Sequence, residues 1–290
     1  MSGKLLKIKK SIASTKKTKK ITKAMELVST SKMKNFQVMA ANSQKYSAKI
    51  LQYLLALKEE DFAEVSEYSR KIKTGKNLFI LYSSDKGLCG GMNNKIFKAL
   101  TSSKKWTDTP LENRVVVTIG KKAHSFALRS KFNIAKFFNN IQDKLSDLDT
   151  LLVVNDILKI WRSENIKKAY LIAPNFKSTL VFYPKVKRYL PVTKLDIKHL
   201  LKDIKSVSYS NSFYDPDSKE ILEKVIEYLI LNKFYHAFLE LKAVEYSSRK
   251  IAMQNATKSA EEMIDNLTLK YNTARQEQIT KEIIEIVSGI

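Results

Sequence analysis

Two long stretches of the chain contain neither proline nor glycine, and they constrain the fold more than any other feature. The first runs from Lys4 to Ile72, and the second lies between Pro216 and Gly289. Because proline and glycine interrupt regular structure most strongly, both stretches favour continuous helices. Pro216 suits the first position of the second helix. A helix of about 70 residues at 1.5 Å per residue would be roughly 100 Å long, which is typical of a coiled coil.

Each terminal stretch carries a narrow seam of apolar residues. The C-terminal seam has nearly heptad spacing, and its members are Met253, Ala256, Ala260, Met263, Leu267, Tyr271 and Ala274. The N-terminal seam consists of Ile8, Ile12, Ile21, Met25, Val28, Met33, Phe36 and Met39. A helix with so narrow an apolar face is not stable alone. We therefore predict that residues 1–58 and 215–290 pair as the two helices of a coiled coil.

The centre of the chain, residues 77–190, has a different pattern, and we predict an α/β domain there. Short β-branched or aromatic runs occur at Leu78–Tyr82, Val115–Ile119, Ala169–Ala173 and Thr179–Phe182. The first three runs alternate with helix-compatible segments at about 93–103, 121–130 and 149–165. This alternation is typical of a partly parallel sheet. The last two runs, separated by Pro174–Ser178, are compatible with an antiparallel hairpin, and polar connectors are predicted at 59–76 and 191–214.

The formal net charge of +23 is concentrated at the start of the chain. Residues 1–58 contain 14 lysines and one acid, Glu26, whereas residues 216–290 have a net charge of −2. A chain this basic is expected to meet an acidic partner: nucleic acid, an anionic membrane or an acidic protein surface. A lysine-rich, helical nucleic-acid-binding protein is therefore one hypothesis. Against it, few aromatic residues that stack on single strands occur up to position 58, namely Phe36, Tyr46 and Tyr53.

The sequence offers little for metal or disulfide chemistry. The one cysteine, Cys89, excludes an intrachain disulfide framework and a cysteine-cluster metal site, and the three histidines are scattered. No stretch approaches the ~20 apolar residues of a membrane span. The basic start of the chain lacks the apolar core of an export signal. We predict a protein without a cofactor in a reducing compartment.

A glycine-rich turn, Ser83–Asn93, follows the first predicted strand and contains three of the seven glycines. One interpretation is a phosphate cradle at a helix N-terminus, but neither the P-loop spacing nor the dinucleotide-binding spacing is present. The other is a structural turn that lets the backbone pack closely or contact a partner. Cys89 within this turn is either a nucleophile or a buried structural cysteine, and no histidine lies near it in sequence.

Three blocks of sequence resemble the gamma subunits of F-type rotary ATP synthases. They occur in the order and at the separations typical of that family, and they span nearly the whole chain. The blocks are Ile21–Val28 with Ser31–Met33, then Ser84–Asn93, and finally Asn255–Thr257, Tyr271–Asn272, Ala274–Gln276 and Ile279–Gly289. One departure is Lys86, which stands where an arginine is usual and lacks the planar fork of arginine.

The resemblance implies an antiparallel, left-handed coiled coil of the terminal helices and a central Rossmann-like α/β domain. It implies the central stalk, or rotor shaft, that couples proton flow through the membrane sector to ATP synthesis or hydrolysis at the beta-subunit sites. The implied partners are the ring of alpha and beta subunits, the epsilon subunit and the c-subunit ring. The implied location is peripheral, on the cytoplasmic face of the bacterial plasma membrane or on the matrix side of the mitochondrial inner membrane. In this family the subunit has no catalytic site of its own.

The resemblance also implies contact residues. Lys23 and Met25 match the helix segment near the beta lever loop. In that family, positions of the C-terminal helix contact the catch region of beta and alpha, and the residues of this chain that match them are Arg249, Gln276, Thr280 and Glu282. Lys86 and Cys89 match the stalk region near beta and epsilon. From helical spacing alone, Gln276, Thr280 and Glu282 are compatible with one shared patch.

Overall fold

The structure is a computed structural model that describes residues 3–55, 66–139, 145–193 and 219–289. Side chains are described throughout these ranges except at 46–55 and 219–222. The chain divides into two compact units: Met1–Ser31 with Arg249–Ile290, and Lys32–Ser248. The domain limits at 58, 77, 190 and 215 remain predictions, and positions 56–58 and 215–218 lie outside the described residues, as do the predicted connector residues 194–214.

Two long helices lie at the two ends of the chain, as predicted. Helix α1 spans Gly3–Leu55 and helix α6 spans Lys219–Ser288, with 53 and 70 residues respectively. The strands between them are β1 (Lys76–Tyr82), β2 (Arg114–Ile119), β3 (Ile134–Phe138), β4 (Ile166–Phe176) and β5 (Phe182–Leu190). The shorter helices are α2 (Met92–Thr101), α3 (Lys104–Thr107), α4 (Lys121–Arg129) and α5 (Asp147–Ser163), with a 3₁₀ turn at Leu111–Asn113.

The five strands form one sheet in the order β3-β2-β1-β4-β5. β1 is central and parallel to both β2 and β4, β2 is parallel to β3, and β5 is antiparallel to β4. Side chains alternate across a sheet, and residues 79 and 82 therefore mark its two faces. Phe79 packs against Trp106 of α3, whereas the Tyr82 hydroxyl donates to the Phe234 carbonyl of α6 at 3.4 Å. The prediction of a partly parallel, Rossmann-like sheet between long terminal helices is confirmed.

β1 is the centre of the core of the second unit. All five residues of Leu78–Tyr82 have 0% exposure, because helices cover both faces of this strand. A strand buried on both faces needs a continuous apolar run rather than an alternating one. The run Leu78–Tyr82, one of the predicted strands, has this continuous apolar pattern.

Within the first unit, α1 and α6 run antiparallel. Lys4 Nζ lies 3.5 Å from Glu277 Oε2, Lys19 Nζ lies 2.6 Å from Glu261 Oε1, and Thr22 meets Thr257. As the residue number rises along α1, that of its partner on α6 falls. The antiparallel helix pair that the resemblance implied is therefore confirmed in this unit.

The inward face of α1 follows a strict heptad pattern, but several of its members are polar. The positions, alternately three and four apart, are Leu5, Ile8, Ile12, Thr15, Lys19, Thr22, Glu26 and Ser29, and all are buried or half-buried. Ile21 and Val28, which the sequence placed on the seam, are 60% and 55% exposed. That assignment was wrong because small hydroxyl side chains, rather than the apolar residues beside them, fill the close contact between the helices.

The seam of α6 also differs from prediction at one point. Met253, Ala260 and Ala274 are buried as predicted, but Met263 is 54% exposed and the adjacent Ile264 is half-buried instead. The shift of one residue keeps the three-and-four spacing of the inward face from Ala260 to Leu267. Met263 lies at the edge of the contact, where its sulfur accepts a hydrogen bond from Thr15 Oγ1 at 3.8 Å.

The hairpin of the sheet lies further along the chain than predicted. β5 begins at Phe182, where the predicted strand ended, and Pro174 lies inside β4 rather than in the turn. β5 escaped detection because its exposed positions, which include Lys185 and Lys187, alternate with half-buried ones. Its apolar run is therefore broken. β3, with half-buried and exposed side chains, was not predicted at all.

Candidate functional site

The N-terminal candidate residues lie on the outer side and flank of α1. Lys23 is exposed, and its Nζ lies 3.1 Å from Glu26 Oε2 on the same helix. Met25 is half-buried, and its carbonyl oxygen accepts a hydrogen bond from the buried Ser29 hydroxyl at 2.7 Å. The backbone of this segment is therefore fixed from the inward side, while part of Met25 and all of Lys23 face outward.

Arg249 lies in a different environment from the other candidates. It is only 6% exposed, in a part of α6 where most residues from Ala237 to Arg249 are buried. A side chain so enclosed by its own chain offers little surface to another protein. Its placement suits a residue that shapes the helix pair more than one that touches a partner directly.

The C-terminal candidates are exposed, but the structure brings only two of them together. Gln276 and Thr280, one helical turn apart, lie on one open face of α6 with Ile284 further along. Glu282 lies outside this face and accepts a hydrogen bond from Gln278 Nε2 at 2.7 Å. The shared patch predicted from spacing therefore contains residues 276 and 280 but not 282.

Beyond Gln278, every described residue of α6 is exposed. The Lys4–Glu277 pair marks where α1 begins, and α6 continues past it. This end carries a group of exposed large apolar residues: Ile279, Ile283, Ile284, Ile286 and Val287. Such a concentration of exposed apolar side chains marks an interaction surface. The signal for this exposure in the sequence is the two apolar pairs at 283–284 and 286–287, which cannot all face one partner helix.

Exposed lysines dominate the outer surface of α1 in the first unit. They are Lys4, Lys7, Lys9, Lys10, Lys16, Lys17, Lys20 and Lys23. The only acid on this part of the helix is Glu26. This surface attracts acidic partners over distances up to the Debye length and loses that attraction as salt is added.

The glycine-rich turn is tied to the neighbouring helix by its own side chains. Ser83 Oγ accepts from the Ala123 amide at 2.6 Å, and Asp85 Oδ1 accepts from the Lys121 amide at 2.9 Å. Both amides belong to the first turn of α4, where a phosphate would otherwise bind. Gly120 has a positive φ of 93° and approaches Ser83 so closely that a Cβ would collide with its carbonyl oxygen. These contacts favour the structural interpretation of the turn.

Cys89 is buried inside this turn. Its Sγ lies 3.4 Å from Asn93 Nδ2, which donates to it, and 3.7 Å from Ser84 Oγ. Asn93 Nδ2 also donates to Ser84 Oγ, and the Ser84 amide donates to Asn93 Oδ1. This small network closes the turn around the thiol. Lys86, by contrast, is exposed on the outside of the turn.

The described residues contain no group of three or more His, Cys, Asp or Glu side chains placed to hold a metal ion. In the same parts of the chain, we find no helix with the length and apolar character required to cross a bilayer.

An antiparallel pair of long terminal helices with an exposed apolar end, in a chain that also contains an α/β domain, defines the class of protein. The family model for ATP synthase matches residues 4–290. The ATP synthase gamma chain of Coxiella burnetii (strain RSA 493 / Nine Mile phase I) is 35% identical over 290 residues, covering 99% of this chain and 98% of the relative. That of Geotalea uraniireducens (strain Rf4) is 34% identical over 286 residues, covering 98% and 97%. The chain belongs to the ATP synthase gamma-chain family.

A solved structure shares the fold. The chain is similar to one in a structure of the Euglena gracilis mitochondrial ATP synthase, "OSCP/F1/c-ring, rotational state 3", with a TM-score of 0.68 and 16% identity. The match covers 99% of this chain and 93% of that chain. None of these comparisons supports the nucleic-acid hypothesis.

Proposed function

We propose that this chain is the central stalk of a rotary F-type ATP synthase and transmits rotation between a membrane ring and the ATP-handling subunits. The observation that carries the proposal is the end of α6, which extends past the start of α1 with its apolar side chains exposed. An apolar helix end of this kind needs a surrounding protein surface. A ring of alpha and beta subunits enclosing it would provide one.

In this proposal the chain catalyses no reaction and acts by making different contacts with each neighbouring subunit as it rotates. A rotating shaft changes the state of a neighbouring subunit only if it presents different surfaces to it in different orientations. The helix pair has such surfaces: the lysine-rich outer side of α1 on one hand, and on α6 the mixed face that includes Glu261, Glu262 and Asp265. We assign no catalytic site and no cofactor to this chain.

Individual residues take roles within this proposal. Lys23 and Met25 contact the beta lever loop, and Gln276 and Thr280 contact the catch region of beta and alpha. Glu282 contacts the same region from another side of the helix. Arg249 supports the helix pair from within. Lys86 and Cys89 belong to the stalk region near beta and epsilon, with Lys86 at the surface and Cys89 closing the turn behind it.

The proposed partners are the alpha and beta subunits, epsilon and the c-subunit ring. The proposed location is peripheral, on the cytoplasmic face of a bacterial plasma membrane. The matrix side of the mitochondrial inner membrane is the alternative. The curated relatives quoted above are bacterial chains, which supports the first location.

Reconstitution tests the proposal. The purified chain alone should hydrolyse no ATP, and mixing it with alpha and beta subunits should give a complex that sediments as one particle with ATPase activity. Removal of the exposed end of α6, residues 279–290, should weaken this assembly without unfolding the rest of the chain. A full-length chain that does not join the alpha–beta ring, or that hydrolyses ATP alone, would overturn the proposal.

A further inference from the structure

A cavity of about 500 Å³ lies in the second unit, where the segment before β1 meets the end of α5. Its lining includes three cationic side chains, Arg70, Lys71 and Arg162, and one acid, Glu67. Ile72 and the ring of Trp161 contribute the apolar part of the lining. The volume lies within the range of small-molecule sites, which are roughly 300–1,000 Å³ and combine apolar walls with a few polar groups.

Arg162 is held in place by its own chain. Its Nε donates to Glu67 Oε1 at 2.8 Å, and its Nη2 donates to the same oxygen and to the Tyr68 hydroxyl. Burial raises the pKa of Tyr68 to about 12, so this hydroxyl stays neutral at physiological pH. These bonds engage one edge of the guanidinium. The Nη1 amino group has no hydrogen-bond partner in the described parts of the chain, which leaves its two N–H donors available.

The charges of the cavity do not balance. Glu67 is matched by Arg162, whereas Arg70 and Lys71 form no ion pair with any described acid. Both side chains are exposed, so they can change rotamer to meet a ligand without disturbing buried contacts. The lining therefore combines one fixed guanidinium with two adjustable cations, and its own side chains carry two positive charges in excess. Glu227, outside the lining, acts electrostatically on Arg162 and Tyr68, so the excess positive charge rests on Arg70 and Lys71.

We propose that this cavity binds a phosphate group. Phosphate oxygens accept charge-assisted hydrogen bonds from guanidinium and ammonium groups, and such bonds are about twice as strong as neutral ones. Arg162 can offer the N–H groups of Nη1, whereas the exposed Arg70 can offer the planar fork of its guanidinium. The apolar lining at Ile72 and Trp161 suits a phosphate attached to an organic group. Two sources supply this chemistry: the headgroup of an anionic phospholipid and free inorganic phosphate. The inference is independent of the proposed rotary function, because it is tested on the isolated chain.

Trp161 provides the optical signal, because it lines the cavity. The other tryptophan, Trp106, packs with Phe79 and Phe132 and is changed to phenylalanine. In this Trp106→Phe background, inorganic phosphate is titrated at constant ionic strength while Trp161 fluorescence is followed. Binding to vesicles of phosphatidylglycerol and phosphatidylcholine is measured by sedimentation, with pure phosphatidylcholine vesicles as the uncharged reference.

The test compares two double variants with the same net charge. Arg70→Gln/Lys71→Gln removes the two adjustable cations, and Lys121→Gln/Lys122→Gln removes two exposed lysines at the start of α4. The control matters because a chain of charge +23 binds anionic vesicles non-specifically. Thermal melting checks that both variants fold.

A saturable fluorescence change with phosphate, weakened about tenfold or more by Arg70→Gln/Lys71→Gln but not by the control, supports the proposal with free phosphate as ligand. If Arg70→Gln/Lys71→Gln instead weakens binding only to the phosphatidylglycerol-containing vesicles, and the control variant does not, the proposal holds with a lipid headgroup as the ligand. Equal behaviour of the two double variants in both arms overturns the proposal.

Discussion

The hydroxyl of Thr257 donates a hydrogen bond to Thr22 Oγ1 across the helix pair at 2.8 Å. Thr22 is only 8% exposed and itself donates to the Lys19 carbonyl at 3.1 Å. The contact between α1 and α6 thus contains a satisfied polar pair where apolar residues are usual. The Thr257 hydroxyl also lies 2.8 Å from the Met253 carbonyl oxygen of its own helix. A polar pair of this kind favours one register of the helices, because sliding them would break the bond between the two hydroxyls.

The Thr22–Thr257 bond should be measurable as a coupling between the two positions. Thr22→Val and Thr257→Val keep the shape of the side chain, and each should lower the stability of the first unit by about 1 kcal/mol. The double variant should lose about 0.5–1 kcal/mol less than the sum, because either single change already removes the bond that the two hydroxyls share. Hydrogen exchange of the amides around residue 22 measures the local free energy. Strict additivity would show that the bond contributes nothing.

Gly120 should be intolerant of any side chain. Its φ is 93°, and an added Cβ would collide with the Ser83 carbonyl. Gly120→Ala should therefore lower the free energy of unfolding by about 2 kcal/mol or more. Gly91→Ala is the matched control, since its φ is −84° and no atom lies within 4 Å of an added Cβ. Urea denaturation of both variants measures the difference. Similar losses at the two positions would contradict the close approach of Ser83 and Gly120.

A cluster between α6 and the β4–β5 hairpin should make the second unit sensitive to acid. His236 Nε2 lies 3.8 Å from Glu240 Oε2, and Glu240 Oε1 accepts from Asn175 Nδ2 at 2.6 Å. His236 Nδ1 is buried with no hydrogen-bond partner among the described residues. Burial lowers the pKa of His236 below 6.5, Glu240 opposes this shift, and Lys187 of β5 adds to it.

The sign of the effect follows from proton binding. With a depressed pKa, the folded chain binds fewer protons than the unfolded chain just below pH 6.5, so stability falls as pH falls through this window. His236→Gln removes the proton site and should reduce the loss of stability between pH 7.5 and 5.5. Urea midpoints at both pH values measure this. Lys187→Gln is a second variant, which should also reduce the loss by raising the pKa of His236. An unchanged loss in both variants would exclude His236 as its source.

The apolar end of α6 should matter for assembly but not for folding. Ile283 and Ile286 are 55% and 69% exposed, so changing both to serine should leave the stability of the isolated chain within about 0.5 kcal/mol. In the proposed complex, losing two buried apolar side chains should weaken binding to the alpha–beta ring at least tenfold. Sedimentation with alpha and beta subunits measures this. Leu111→Ser, at an exposed position in the second unit, is the control and should bind normally.

The sequence predicted the long helices and the central strands well, because both depend on local composition. The absence of proline and glycine from two long stretches determined α1 and α6, and α6 reached the predicted length. β1, β2 and β4 were found because strands buried on both faces have continuous apolar runs. β5 was misplaced because Lys185 and Lys187 occupy its exposed positions. Composition also cannot reveal that Pro174 lies inside β4, where it pairs with Pro184 of the edge strand β5.

The candidate surfaces were less predictable, since they depend on which partner each helix face meets. Ile21 and Val28 have the composition of a core, yet Thr22 and Ser29 are buried instead, and Thr22 meets Thr257 of α6. Likewise, Glu282 is close to Thr280 in sequence but lies outside its patch. The exposure of Ile283 and Ile286 depends on where α1 begins opposite α6. The pattern within α6 shows only that the apolar pairs at 283–284 and 286–287 cannot all face one partner helix.

The enclosure of Cys89 makes the chain a convenient carrier for optical probes. The thiol is the only one in the sequence and is 2% exposed, so a water-soluble maleimide should not reach it while the turn is closed. A cysteine introduced at an exposed position of either long helix would then be the sole labelling point. Cys89 would therefore not have to be replaced before labelling. One dye per molecule, at a chosen height on the helix pair, would report orientation directly through polarised emission.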